Sequence, residues 1–122
     1  MSVLDRFRLN GRTAFITGGS RGLGRAMAQA LAEAGADLIL VGREAEALNV
    51  ARAELAALGR RVDIIAEDVG TTDGAAAACD AALKLGHPID ILVNNVGGRR
   101  VDVAAEDVAI DEWRALADLN LT

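Results

Sequence analysis

Short apolar runs alternate along the chain with longer stretches in which apolar residues recur every three or four positions. The apolar runs cover residues 12–17, 37–41, 62–66 and 89–93, and each predicts a β-strand. Several are apolar almost throughout, which is typical of strands covered on both faces of a parallel sheet. The stretches between them have the periodicity of helices, and a final helix is predicted from about Asp111.

Each helical stretch carries an apolar stripe that we expect to face the sheet. The stripe of the first helix comprises Leu23, Met27, Leu31 and Ala34, and that of the second comprises Leu48, Ala51, Leu55 and Leu58. A third helix is predicted over residues 72–85, with Cys79 on its apolar stripe. Gly35 and Gly59 lie where the first two helices should end, because glycine readily adopts the left-handed conformation of a helix C-terminus.

Alternation of this kind predicts an α/β fold, a Rossmann-like doubly wound parallel sheet with right-handed crossovers. The expected strand order in this segment is 3-2-1-4. We expect residues 1–122 to form one dinucleotide-binding segment. The final helix is still in period at Thr122, so we also expect the segment to be incomplete relative to a full fold of this type.

A glycine-rich stretch, T-G-G-S-R-G-L-G, joins the first predicted strand to the first predicted helix. Its glycines Gly18, Gly22 and Gly24 have the spacing T-G-x-x-x-G-x-G. At such a junction the free N–H groups and the dipole of the helix face a ligand, and the missing side chains let a diphosphate approach the backbone. The context therefore favours a dinucleotide site over a plain glycine-rich turn.

Polar residues follow two other predicted strands. Asp68 and Val69 follow the third strand, and Asn94 and Asn95 follow the fourth. Ligands of open α/β sheets bind at the carboxyl ends of the strands, so these residues are candidates for the same site. Two alternatives remain open: Asp68 capping a turn before Gly70, and the asparagines serving only as turn formers.

These motifs, together with Asn120 in D-L-N-L-T, resemble in order and spacing the short-chain dehydrogenases/reductases. Within that family the stretch N-N-V-G-G-R-R resembles 3-oxoacyl-carrier-protein reductases and gluconate 5-dehydrogenase-like members. The resemblance implies hydride transfer between a nicotinamide cofactor and a carbonyl or secondary alcohol. It implies a catalytic role for Asn120, which would hold a water, and cofactor binding by Gly18, Ser20, Arg21, Gly22, Leu23, Gly24, Asp68, Val69, Asn94 and Gly97. Asn120 has an alternative as an exposed residue near a helix end.

Gly42 and Arg43 follow the second predicted strand, where NAD-binding proteins carry a carboxylate for the ribose diol. A guanidinium at this position can bind a 2′-phosphate through two hydrogen bonds. Arg21 adds a second cation beside a helix N-terminus, which an anionic ligand would explain. These residues favour NADP(H) over NAD(H). Glu44 is the opposing feature, since it could act as the acid of an NAD site.

Composition narrows the possible partners. Lys and Arg number 13 against 18 Asp and Glu, and the net charge of −5 argues against nucleic acid or an anionic membrane as the main partner. Cys79 is the one cysteine, so no internal disulfide and no metal site are expected. The charged amino-terminal stretch and the absence of a long apolar run predict a cytoplasmic protein.

The chain contains no tyrosine, and Lys84 is its only lysine. The resemblance implies a catalytic tyrosine assisted by a lysine, so we expect this chain alone not to complete the reaction. One interpretation is the cofactor half of an NADP(H)-dependent oxidoreductase, in a homo-oligomer or with a complementing chain that supplies the carbonyl or alcohol site. The alternatives are a stand-alone, non-catalytic dinucleotide-binding module and a truncated product.

Overall fold

The computed structural model describes residues 2–96 and 105–121, and all four predicted strands and four predicted helices are present in it. The strands are β1 (Thr13–Thr17), β2 (Asp37–Gly42), β3 (Val62–Ala66) and β4 (Ile91–Val93). The helices are α1 (Val3–Arg6), α2 (Gly22–Glu33), α3 (Ala45–Ala56), α4 (Thr72–Lys84) and α5 (Ile110–Leu121), with a 3-10 turn at Ala105–Asp107. The short helix α1 was not predicted; Ser2 caps it and exchanges hydrogen bonds with Asp5.

The strands form one parallel sheet in the order β3-β2-β1-β4, as the sequence predicts. Strand β1 pairs with β2 on one side, with Thr17 opposite Val41, and with β4 on the other, with Ile16 opposite Val93. The strand order therefore reverses between β1 and β4. In open α/β sheets the crevice at the carboxyl ends of such a strand pair is where ligands bind.

Alternate residues of β2 belong to two separate apolar clusters, one on each face of the sheet. Leu38 and Leu40 pack with residues of α2 and α3, whereas Ile39 and Val41 pack with residues of α4. All four side chains are fully buried. The near-continuous apolar run of this strand is thus explained by helices on both faces.

The buried stripe of α2 begins one position later than predicted, at Gly24 instead of Leu23. The residues that α2 buries are Gly24, Ala28 and Ala32, whereas Leu23 is 69% exposed. Small residues four apart let the helix axis approach the sheet closely, and the larger Leu31 is only partly buried at the side of this contact. In the second helix Leu48, Ala51 and Leu55 are buried as expected. Leu58 lies beyond the end of α3 and is 42% exposed.

Helix α4 repeats this arrangement on the opposite face of the sheet. Its buried residues are Gly74, Ala78 and Ala82, again four apart. The prediction that Cys79 belongs to the apolar core is wrong, because its thiol is exposed. One residue of α-helix corresponds to a rotation of about 100°, which is enough to turn the residue after Ala78 away from the sheet.

Glycines end the helices as predicted. Gly35 and Gly59 follow α2 and α3 with φ angles of +109° and +84°, in the region that favours glycine. At Gly35 a Cβ would also meet the Asn10 side chain and would lie 3.2 Å from the Asn10 backbone nitrogen, so the segment before β1 approaches this glycine closely. None of the helices in the described part of the chain is long and apolar enough to cross a membrane.

A polar network joins the amino ends of three strands. The Arg61 guanidinium contacts Asp37 of β2 at 3.4 Å and Asp63 of β3 at 3.2 Å, and it donates to Thr13 Oγ1 of β1 at 3.2 Å. On the other side of β1, Asp90 accepts a hydrogen bond from the Thr13 backbone N–H at 3.0 Å. The acidic side chains at this edge are therefore paired, at the end of the sheet opposite the glycine-rich turn.

The small residues of α2 give a test of the helix–sheet contact. In Ala28→Leu, the added carbons have no space between α2 and the sheet, because Ala28 is fully buried. We expect the free energy of unfolding to fall by about 1–3 kcal/mol, measured by urea denaturation. Ala30→Leu on the exposed side of the same helix is the matched control and should change stability by less than about 0.5 kcal/mol. Equal effects of the two substitutions would contradict this packing.

Candidate functional site

The glycine-rich turn lies between the end of β1 and the start of α2, at the carboxyl edge of the sheet. The Gly18 N–H donates to the Val41 carbonyl at 2.8 Å, so the turn continues the pairing of β1 with β2 for one residue. Gly18 and Gly22 have φ angles of +64° and +58°. Both conformations are costly for residues with a side chain, so the two glycines are required by the path of the backbone.

Gly24 is required for a different reason, the close packing of α2 on the turn. A Cβ atom at Gly24 would collide with the Gly18 carbonyl and would lie 2.5 Å from Asn95 Nδ2. At Gly22, in contrast, no described atom lies within 4 Å of where a Cβ would be. Of these three glycines, Gly22 is therefore the one whose missing side chain leaves open space at the helix N-terminus.

Asn95 connects β4 to the glycine-rich turn. Its backbone N–H donates to Thr17 Oγ1 at 2.8 Å, and its side-chain Nδ2 donates to the Gly18 carbonyl at 3.4 Å. The Thr17 hydroxyl also lies 3.4 Å from the Val93 carbonyl, to which it donates. Thr17 is 5% exposed and Asn95 is half-buried, so these bonds are partly shielded from water.

The sequence assigns Asn94 to cofactor binding, and the structure adds a different role for Asn95, which contacts the glycine-rich turn. Asn94 is exposed, and Asn95 is half-buried against the turn. The alternation of side chains along β4 indicates this contact of Asn95. Val93 packs against the apolar cluster that contains residues of α2. Asn95 follows Val93 by two positions, so its side chain is directed to the same face of the sheet.

The first turn of α2 contains no acidic residue. The N-cap residue of this helix, Arg21, makes no capping hydrogen bond. The other two helices that follow strands in this sheet differ, since α3 has Glu46 and α4 has Asp73 in the first turn, with Thr71 capping α4. The positive end of the α2 dipole therefore suits an anionic ligand.

The two arginines predicted to bind a 2′-phosphate have different surroundings. Arg21 Nη2 lies 2.7 Å from Glu44 Oε2, and both side chains are largely exposed. Arg43 is also exposed, and its side chain makes no ion pair or hydrogen bond with any residue that the structure describes. Glu44 thus contacts one of the two candidate cations directly.

The remaining predicted residues surround the same edge of the sheet. Asp68 Oδ1 accepts a hydrogen bond from the Gly70 N–H at 2.9 Å, which is the turn that the sequence offered as the alternative role of Asp68. Val69 packs against the apolar cluster on the α4 face. Ser20 is half-buried, and its hydroxyl oxygen lies 3.7 Å from where a Cβ of Gly42 would be.

Two predicted site residues are not placed by these contacts. Gly97 lies outside the described residues, and Asn120 belongs to α5 by its backbone, with its side chain outside the described part. Within residues 2–96 and 105–121, no three His, Cys, Asp or Glu side chains gather in a group that could hold a metal ion.

A parallel sheet covered by helices on both faces, with a glycine-rich turn beside the point of strand reversal, defines the class of Rossmann-like α/β proteins. The family follows from the sequence comparison: residues 12–122 match the family described as short chain dehydrogenase, and the chain belongs to that family.

Relatives and solved structures agree with this assignment. The chain is 39% identical over 116 residues to the rhamnolipids biosynthesis 3-oxoacyl-[acyl-carrier-protein] reductase of Pseudomonas aeruginosa, covering 95% of this chain and 44% of that protein. A short-chain type dehydrogenase/reductase from Mycobacterium marinum has a TM-score of 0.90 at 40% identity, covering 100% of this chain and 49% of that one. The chain thus spans less than half the length of these proteins.

Similar structures have been solved with each nicotinamide dinucleotide. The NADP active-site complex of Pseudomonas aeruginosa RhlG is 38% identical with a TM-score of 0.87, over 94% of this chain and 44% of that one. A 7α-hydroxysteroid dehydrogenase in complex with NADH is 33% identical with a TM-score of 0.87, over 99% of this chain and 47% of that one. The family therefore includes proteins similar to this chain that bind either cofactor.

The Thr17 hydroxyl provides a test of the β1–β4 junction. Thr17→Val keeps the shape of the side chain but leaves the Asn95 N–H without its acceptor. We expect a loss of about 1 kcal/mol in the free energy of unfolding, because a half-buried donor loses its partner. The Asn95 amide should also exchange with solvent faster in hydrogen-exchange measurements. Thr17→Ser, which retains the hydroxyl, should preserve most of the protection, and equal losses in both variants would contradict the role of this bond.

Proposed function

We propose that residues 1–122 form the cofactor-binding part of an NADP(H)-dependent oxidoreductase. Such an enzyme transfers hydride between the nicotinamide and a carbonyl or secondary-alcohol carbon of its substrate. The observation that carries the proposal is the N-terminus of α2, which directly follows the glycine-rich turn. It has no acidic residue in its first turn, and open space lies beside Gly22. Membership of the short chain dehydrogenase family supports the same function.

The diphosphate of the cofactor would lie against the turn and the first residues of α2. Gly22 fits this role through its positive φ angle and the open space beside it. Gly18 and Gly24 contribute by letting α2 approach the end of β1 closely. Ser20 and Leu23 flank this part of the backbone, and the exposed Leu23 side chain offers an apolar contact to the cofactor.

The adenosine half would lie across the carboxyl ends of β2, β3 and β4. Asp68 and Val69 follow β3 and would contact the adenine, while Asn94 and Gly97 follow β4 and would contact the adenosine ribose. Asp68 retains one carboxylate oxygen for a ligand, because its other oxygen accepts the Gly70 N–H. Asn120 would hold a water near the nicotinamide. The 122 residues contain no tyrosine, so the proposal assigns them cofactor binding and gives none of them the proton transfer.

NADP(H) is preferred over NAD(H) in this proposal because Arg43 takes the position where NAD-binding proteins carry a carboxylate. The guanidinium is exposed at the end of β2 and makes no ion pair with the described residues, so it is available to a 2′-phosphate. Arg21 adds positive charge at the neighbouring helix N-terminus.

Direct binding tests this proposal. The fluorescence of NADPH and of NADH is titrated with wild-type protein and with Arg43→Ala. We expect wild type to bind NADPH more tightly, and Arg43→Ala to weaken NADPH binding about tenfold while changing NADH binding by less than about twofold, because the lost interaction involves a charged group. Arg6→Ala, an exposed arginine of α1, is the matched control and should leave both affinities unchanged. A wild-type protein that binds neither dinucleotide would disprove the proposal.

A further inference from the structure

The positions of Arg21 and Glu44 in the fold are equivalent. Arg21 is the N-cap residue of α2, which follows β1, and Glu44 is the N-cap residue of α3, which follows β2. Because β1 and β2 are neighbours with Thr17 opposite Val41, the two caps lie side by side at the carboxyl edge of the sheet. Their side chains meet there at 2.7 Å.

We infer that Glu44 is a specificity-determining residue that weakens the preference for NADP(H) by engaging Arg21. This inference rests on the proposed function. A bound 2′-phosphate must compete with the Glu44 carboxylate for the Arg21 guanidinium, and the two anions also repel each other. NAD(H) lacks this phosphate and leaves the ion pair intact. Arg43, which has no such partner among the described residues, then supplies most of the phosphate affinity.

The ion pair is not needed to hold the two helices in place. Neither side chain caps its helix, and the capping bonds at these residues are made by backbone carbonyls, with Arg25 N donating to Arg21 at 3.2 Å and Leu48 N to Glu44 at 3.1 Å. A second contact, between Arg25 and Glu54 at 3.7 Å, also joins α2 to α3. Both partners of the Arg21–Glu44 pair are exposed, so its contribution to stability is small.

The substitution that tests the inference is Glu44→Gln, which removes the charge at nearly constant shape. Affinities are measured calorimetrically for 2′,5′-ADP and 5′-AMP, which differ only in the 2′-phosphate, and fluorimetrically for NADPH and NADH. We expect the affinities for 2′,5′-ADP and NADPH to rise about three- to tenfold, the range expected for an exposed ion pair and its screened repulsion. Those for 5′-AMP and NADH should change by less than about twofold.

Glu46→Gln is the matched control. Glu46 is exposed in the first turn of the same helix, so its substitution changes the net charge and the charge near the α3 N-terminus in the same way. It should leave the ratio of NADPH to NADH affinity within about twofold of wild type, since a charge on the rim of the site is largely screened. In an Arg21→Gln background, the gain from Glu44→Gln should become smaller, because no guanidinium is left to release.

Several results would overturn the inference. An unchanged ratio of NADPH to NADH affinity in Glu44→Gln would show that the carboxylate does not affect the choice of cofactor. A fall in 2′,5′-ADP affinity would show that Glu44 instead holds Arg21 in place for the phosphate. An equal rise in NADPH affinity in Glu46→Gln would show that the effect comes from the change in net charge and not from the Arg21–Glu44 contact. Each of these overturns the inference while wild type still binds NADPH, whereas a wild type that binds no nucleotide would overturn the proposed function and the inference together.

Discussion

The hydrogen bond from the Asn95 N–H to the Thr17 hydroxyl is the contact on which the arrangement of the site depends. It joins the end of β4 to the end of β1, where the strand order reverses. It also brings the Asn95 amide against the Gly18 carbonyl. Since the same amide would be 2.5 Å from a Cβ of Gly24, α2 can lie at its observed distance from the turn only with glycine at that position. The glycine-rich turn is therefore partly an internal packing motif, and Gly22 is the member that opens to a ligand.

Close approach of helices to the sheet is repeated on both faces. Helix α2 and helix α4 each bury a glycine followed by two alanines at intervals of four residues. At Gly74 of α4 a side chain would collide with the Asp68 carbonyl, so this helix also begins tightly against the loop that precedes it. Residues this small bury little area themselves, and the apolar burial comes mainly from the strands, where Ile16, Leu38 and Ile39 are fully buried. Small residues on the helices and branched ones on the strands are complementary parts of one packing arrangement.

Charged side chains at the two ends of the sheet differ in how far they are paired. At the amino ends, carboxylates of Asp37 and Asp63 are paired with Arg61. At the carboxyl ends, Arg21 contacts Glu44, whereas Arg43 is exposed and makes no ion pair with the described residues. A chain with a net charge of −5 can still bind an anionic group at such a position, because the local field at a site depends on nearby charges more than on their total.

The sequence by itself determined the class of fold, the four strands and their order, and the position of the glycine-rich turn between β1 and α2. The strands and the class of fold depend on local periodicity and on the glycine-rich turn, and the strand order is the one that a Rossmann-like sheet implies. Tertiary structure decided which face of a helix is buried, so that Ala28 is in the core while Leu23 and Cys79 are exposed. It also decided that Asn95 contacts the turn, and that Arg21 meets Glu44. The physical reason is that these outcomes depend on distances between segments far apart in the chain, and periodicity within one segment contains no information about those distances.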